Sequence, residues 1–175
     1  MSAYIAVCGS GSSDKNISDD QMQHAYEVGK HIALQKGILL TGGRGGIMEA
    51  VSKGAKEHNG QTIGILPSKS TQANTFVDIS LRTGLGVYRN MALIHMADAM
   101  IALAGKWGTL HEICTAMIIG TPIVFLTGGN GFVDMLLSSE FLSYATSPYA
   151  VVQNPVEAVE KAFIFAQKTA ETSKD

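Results

Sequence analysis

Three short stretches of this chain combine glycine with small hydroxyl or basic residues in a way suited to holding an anion. They are Gly9-Ser10-Gly11-Ser12, Gly42-Gly43-Arg44-Gly45-Gly46 and Gly105-Lys106-Trp107-Gly108-Thr109. Each follows a short apolar run and leads into a helical pattern. At such a junction, free backbone N–H groups and the positive end of a helix dipole favour a phosphate or another oxyanion. Arg44, flanked by four glycines, has the planar fork that grips a phosphate in bidentate fashion, and it also reads as an exposed loop charge. Lys106 beside Trp107 offers a cation and an aromatic face, suited to a phosphate next to a flat ring; packing at a core or interface is the other reading of Trp107. Arg89 stands at the start of a helix, where a cation is unfavourable, so a ligand or an acidic partner should compensate it. Glu112 has two readings. Thr109-x-x-Glu112 has the spacing of a capping box, which spacing alone favours, and the same position faces the strand ends, where a carboxylate can serve as general acid or base.

The chemistry these residues do not support is equally specific. None of the glycine stretches is G-x-G-x-x-G with an acid about 20 residues later, and none is G-x-x-x-x-G-K-[ST], which disfavours NAD binding and ATP hydrolysis. No G-x-S-x-G elbow exists. The histidines, 24, 31, 58, 95 and 111, have no ligand spacing, so no metal site is expected. Cys8 and Cys114 lie far apart; they read as reduced thiols, Cys8 as a small buried hydrophobe, and place the chain in the cytoplasm.

The elements that must position these residues follow from hydrophobic patterning. Of 175 residues, 46% are hydrophobic and only 16% charged, against a usual charged share of about 25%. That excludes a disordered chain and suits one packed domain, expected over residues 1–168 with a flexible tail over 169–175. A net charge of −2 with no basic stripe excludes nucleic acid as a partner, and no apolar run reaches the length of a membrane span. Apolar strands are expected at 4–8, 38–40, 62–66, 76–79, 99–103, 123–126 and 149–152. Helices fall between most of them, the one after Gly105 running over 110–119. The loop Gly128-Gly129-Asn130-Gly131 precedes a further helix, and Pro155 opens the last one. Continuously apolar strands alternating with helices predict a doubly wound α/β domain with a mostly parallel sheet of about 6–7 strands. Its ligand should bind at the carboxyl ends of the strands. The apolar excess of Met91 to Met100 predicts a homo-oligomer.

The chain also resembles the molybdenum cofactor carrier proteins. The resemblance rests on Leu39-Leu40-Thr41-Gly42-Gly43-Arg44, Met48-Glu49-Ala50, Lys53 to Glu57, Gly60 to Pro67 and Thr83-Gly84-Leu85-Gly86, and spans roughly Tyr4 to Leu126. Those carriers share a Rossmann-like superfamily with the Lonely guy phosphoribohydrolases. The resemblance implies that fold, a homodimer or homotetramer, and a bound phosphate-bearing small molecule: molybdopterin carrying its metal, with a molybdoenzyme as recipient. The hydrolase branch implies an AMP-like nucleotide substrate instead, with Arg89 at the ribose phosphate and Glu112 assisting departure of the base. Its motif, Pro-Gly-Gly-x-Gly-Thr-x-x-Glu with an upstream Arg-Lys pair, is matched here at Gly108, Thr109, Glu112 and Arg89. It is broken at Ala104, Lys106 and Asn90. A nucleotide-binding protein without turnover fits the same residues.

Overall fold

The computed structural model describes residues 2–129 and 131–172. Seven strands form one fully parallel sheet in the order β4-β3-β2-β1-β5-β6-β7. They are β1 Tyr4–Cys8, β2 Ile38–Thr41, β3 Gln61–Leu66, β4 Ile79–Arg82, β5 Ala99–Leu103, β6 Ile123–Leu126 and β7 Tyr149–Val152. The helices are α1 Asp19–Leu34, α2 Ile47–Glu57, α3 Arg89–His95, α4 Trp107–Ile119, α5 Phe132–Leu137 and α6 Pro155–Thr172. The expected doubly wound architecture is therefore the observed one.

Alternation along the central strands explains why both faces need cover. Ile5 and Val7 of β1, with Ile101 and Leu103 of β5, enter the core shared with α1, α2 and α6. Ala6 and Cys8, with Met100 and Ala102, point the other way into the core beneath α3, α4 and α5. On the first face α1 and α2 cross almost in backbone contact. A Cβ on Gly29 would stand 1.9 Å from the Val51 carbonyl oxygen, and one on Gly54 would stand 2.0 Å from that of Tyr26.

β1 pairs with β2 on one side and with β5 on the other. The chain runs outward from β1 to β4, returns to β5 beside β1, and runs outward again. The carboxyl ends of β1 and β5 thus flank the point where the winding reverses, which opens a crevice there.

Several boundaries differ from the sequence expectation. β4 lies at 79–82, not 76–79. The preceding segment is bent into place by Asn74, whose Oδ1 accepts from Phe76 N (3.0 Å), and by Asp78, whose carboxylate accepts from Thr62 N (3.0 Å) and Thr62 Oγ1 (3.0 Å). Pairing with β3 begins only at Ile79. α4 starts at Trp107, three residues before the expected Leu110. α6 continues through Thr172, so 169–172 are helical; 173–175 lie outside the described residues. In the loop before α5, Asn130 is likewise outside them. The start of α6 is as expected: Asn154 Oδ1 accepts from Val156 N at 2.8 Å with Pro155 in the first helical position.

Candidate functional site

The crevice at the ends of β1, β2 and β5 is a cleft of about 250 Å³. Of the residues singled out by sequence, Gly9, Ser10, Gly11, Gly42, Arg44, Arg89, Lys106, Gly108, Thr109 and Glu112 line it. Gly43, Gly45, Gly46, Gly105, Ser12 and Trp107 do not, and each has another job. Gly45 and Gly46 let the β2–α2 loop lie against the β1–α1 loop: a Cβ on Gly46 would stand 2.7 Å from the Ser10 carbonyl oxygen, and one on Gly45 would stand 2.9 Å from Ser12 Cβ. Gly43 is pressed against β3, facing Gly64 and Leu66. Gly105 turns the chain out of β5 with φ +90°. Trp107, 75% exposed, sets its ring 4.9 Å from that of Phe132 on the rim.

Of the three helix N-termini expected at the cleft, that of α1 is set back from it, while α2 and α4 both start beside it. α1 begins ten residues after β1 and is closed by its own capping box, Ser18 with Gln21. The first N–H of α2, on Ile47, donates to the Ser10 carbonyl at 3.0 Å. α4 brings to the cleft a first turn that no side chain caps, and its leading N–H groups have no partner within the helix; the starts of α2 and α3 likewise lack a side-chain cap. Because α4 starts at Trp107, Thr109 and Glu112 both lie inside it, and the cap residue is Lys106 in extended conformation. Glu112 is therefore no capping residue. One turn into the helix, it faces the cleft floor, 6% exposed.

Burial governs the chemistry of that floor. It pushes the Glu112 carboxyl up to about 7; the nearby Arg89 guanidinium and a hydrogen bond from the Cys8 thiol only partly offset this. The Cys8 thiol is pushed well up, first by burial and then by the carboxylate beside it. Cys8 is buried in the core beneath α3, α4 and α5, as expected, and also borders the cleft. Arg89 is compensated as its helix-start position requires. Its Nη1 donates to the Ile65 carbonyl, and Glu112 offsets the burial that lowers the guanidinium. Gly42 makes room for it, since a Cβ there would stand 2.3 Å from Nη1. Asn90, also buried, donates from Nδ2 to the Gly108 carbonyl at 3.3 Å.

The mouth of the cleft holds Asp14, which the sequence reading passed over. Its Oδ1 meets Lys106 Nζ at 2.9 Å, its Oδ2 accepts from Ser10 Oγ at 2.8 Å, and Ser10 Oγ accepts from Gly105 N at 3.1 Å. The Lys106 ammonium holds the Asp14 carboxyl below its usual range. The signal available in the sequence was the conflict itself, an acid four residues beyond Ser10 in a loop otherwise built for anions. Ala104 stands just before Gly105, outside the lining of the cleft. It holds φ +51° at the end of β5 and is braced from behind, where Val133 N donates to its carbonyl at 3.0 Å. A non-glycine residue in that conformation is a strained position of the kind that collects at ligand sites.

The cleft thus gathers three cationic side chains, two carboxyl groups and the start of α4. Among the described residues, no three His, Cys, Asp or Glu side chains converge on one point, and no helix is long and apolar enough to cross a membrane.

Residues 2–159 match the SLOG cluster4 family. An uncharacterized protein of Archaeoglobus fulgidus is 39% identical over 122 residues, which cover 70% of this chain and 78% of that one. A cytokinin riboside 5′-monophosphate phosphoribohydrolase of Oryza sativa subsp. japonica is 31% identical over 150 residues; the match covers 80% of this chain but only 60% of the rice protein. Among solved structures, the molybdenum cofactor binding protein from Rippkaea orientalis is 34% identical with a TM-score of 0.81, covering 94% of this chain and 98% of its own. The molybdenum cofactor carrier protein from Chlamydomonas reinhardtii is 30% identical with a TM-score of 0.84, covering 95% and 99%.

Proposed function

The chain belongs to the SLOG cluster4 family, and from that premise we propose that it binds and protects the molybdenum cofactor as a carrier. The observation that carries this reading is the lining of the cleft. Arg44, Arg89, Lys106 and the uncapped start of α4 surround one small space, which suits the terminal phosphate of the cofactor's pterin. In this reading the cofactor keeps its own metal ligands and the protein holds its charged periphery. At about 250 Å³ the cleft is below the range of about 300–1,000 Å³ usual for whole small-molecule sites. It therefore takes the phosphate-bearing part and leaves the remainder on the rim, where Trp107 is exposed. Whole-length similarity to two cofactor-binding proteins supports the same reading.

A second reading, hydrolysis of a nucleoside 5′-monophosphate, is favoured by one observation: Glu112 sits buried beside Arg89 with its carboxyl raised to about 7. A carboxyl poised there can exchange a proton near neutral pH. The N-glycosidic bond would break, water would add at C1′, and the base would leave with a proton. Against it, Lys106 and Asn90 replace two elements of the hydrolase motif, and Asn90 is committed to the Gly108 carbonyl.

The deciding experiment incubates the protein with AMP and with an N6-substituted AMP and follows free base by chromatography. No release beyond trace is expected. Steady release that Glu112→Gln abolishes, with ligand binding retained, would replace the carrier by the hydrolase.

A further inference from the structure

We propose that Asp14 and Lys106 form a selectivity latch, so that the cleft takes a phosphate monoester carrying O–H or N–H donors close to the phosphate and discriminates against anions that lack them. The inference rests on the reading of the cleft as an anion site and specifies which anions.

The three cations of the cleft are not equally free. Arg89 is turned to the Ile65 carbonyl on the floor and Arg44 is exposed at the wall. Lys106, with its side chain 56% exposed, reaches back across the mouth to a carboxylate whose own side chain is only 8% exposed. Asp14 uses three acceptor positions: Lys106 Nζ and Asn16 N on Oδ1, at 2.9 and 3.1 Å, and Ser10 Oγ on Oδ2 at 2.8 Å. An anion that draws Lys106 toward itself strips the charge-assisted bond from this carboxylate and is left facing a negative group. A nearly buried carboxylate without its ammonium is costly. A ligand that places a donor on Oδ1 as Lys106 leaves restores the lost bond and puts an uncharged group between the two anions. A sugar hydroxyl or a pterin ring N–H meets that need; a bare dianion does not.

Asp14 is held from two sides, which is what a latch requires. Ser10 joins it to the end of β1 and, through Gly105 N, to the turn out of β5 that carries Lys106. The carboxylate therefore stays in place while the lysine moves.

Calorimetry with ribose 5-phosphate and with methyl phosphate tests this, at a pH where both are dianions; the first carries hydroxyl donors and the second none. Wild type should prefer ribose 5-phosphate by about tenfold, the scale of one charge-assisted hydrogen bond. Asp14→Asn should raise methyl phosphate affinity about three- to tenfold, discounted for the exposure of Lys106, and collapse the preference. On a Lys106→Gln background the same change should gain less than about twofold, because no withheld ammonium remains to be released. Should Asp14→Asn fail to fold, Lys106→Gln alone decides, since the latch requires it to weaken ribose 5-phosphate more than methyl phosphate. A preference that survives Asp14→Asn, or an equal gain in both backgrounds, would overturn the latch and leave Asp14 as a simple negative charge. If folded wild type binds neither ester, the anion-site reading itself fails, and the latch with it.

Discussion

Glu112 makes the stability of the fold depend on pH. An ordinary glutamate near 4.5 is raised to about 7 by burial, so between those values the folded chain holds a proton that the unfolded chain has released. Its contribution to stability is therefore fully present below about pH 4.5 and is lost as pH rises to about 7. Glu112→Gln, neutral at every pH, should unfold at higher denaturant than wild type at pH 8, by about 2–3 kcal/mol, with the advantage vanishing toward pH 4. Urea titrations of both proteins at the two pH values check this; equal stability at pH 8 would mean the carboxylate is well solvated. The sequence pattern at this residue pointed to a cap because Thr-x-x-Glu is the spacing of one, but the turn at Gly105 starts α4 at Trp107 and moves both residues inside the helix. Arg44, Arg89 and Lys106 were legible as site residues because glycine neighbours or a helix start left their charge unexplained. Asp14 was not, because its meaning depends on Lys106, 92 positions away and brought beside it only by the pairing of β1 with β5.

At the scale of elements, local pattern placed what local physics decides. Strands buried on both faces are continuous apolar runs, and β1, β5 and β6 lie where those runs do; β7, an edge strand largely exposed, was marked by its apolar composition alone. β4 escaped because it is an edge strand with every residue exposed, so its sequence carries no burial signal. The close crossing of α1 and α2 was also hidden, since a helical glycine reads only as a mild flaw until the partner backbone is known. Its consequence is testable. Gly54→Val would drive a side chain into the Tyr26 carbonyl, which neither helix can yield without opening the core they share with β1. Overpacking typically costs about 1–3 kcal/mol, and a backbone obstacle puts this case at or above the top of that range. Thermal unfolding should show a Tm lower by about 6 °C or more; an unchanged Tm would mean the helices separate freely.

At the scale of the molecule, the sheet order sets the site and the surface suggests the assembly. The expected apolar stretch Met91 to Met100 divides on folding: Leu93, Ile94, Ala99 and Met100 are buried, whereas Met91 and Met96 remain exposed. Further exposed apolar groups lie just before it, at Val87 and Tyr88, and on α4 at Ile118, which is 83% exposed. A second copy covering such surface predicts a homodimer or homotetramer in light scattering at micromolar concentration; a single 18.5 kDa species would contradict it. Retention of the cofactor by the cleft is directly measurable. Molybdenum cofactor is mixed anaerobically with the protein and passed through gel filtration, and the pterin is assayed in the protein peak. It should co-elute with wild type and be retained about fivefold less by Arg44→Ala, the effect of one exposed charge-assisted contact, with the variant's fold intact. Cofactor that elutes free of folded wild-type protein would contradict the account.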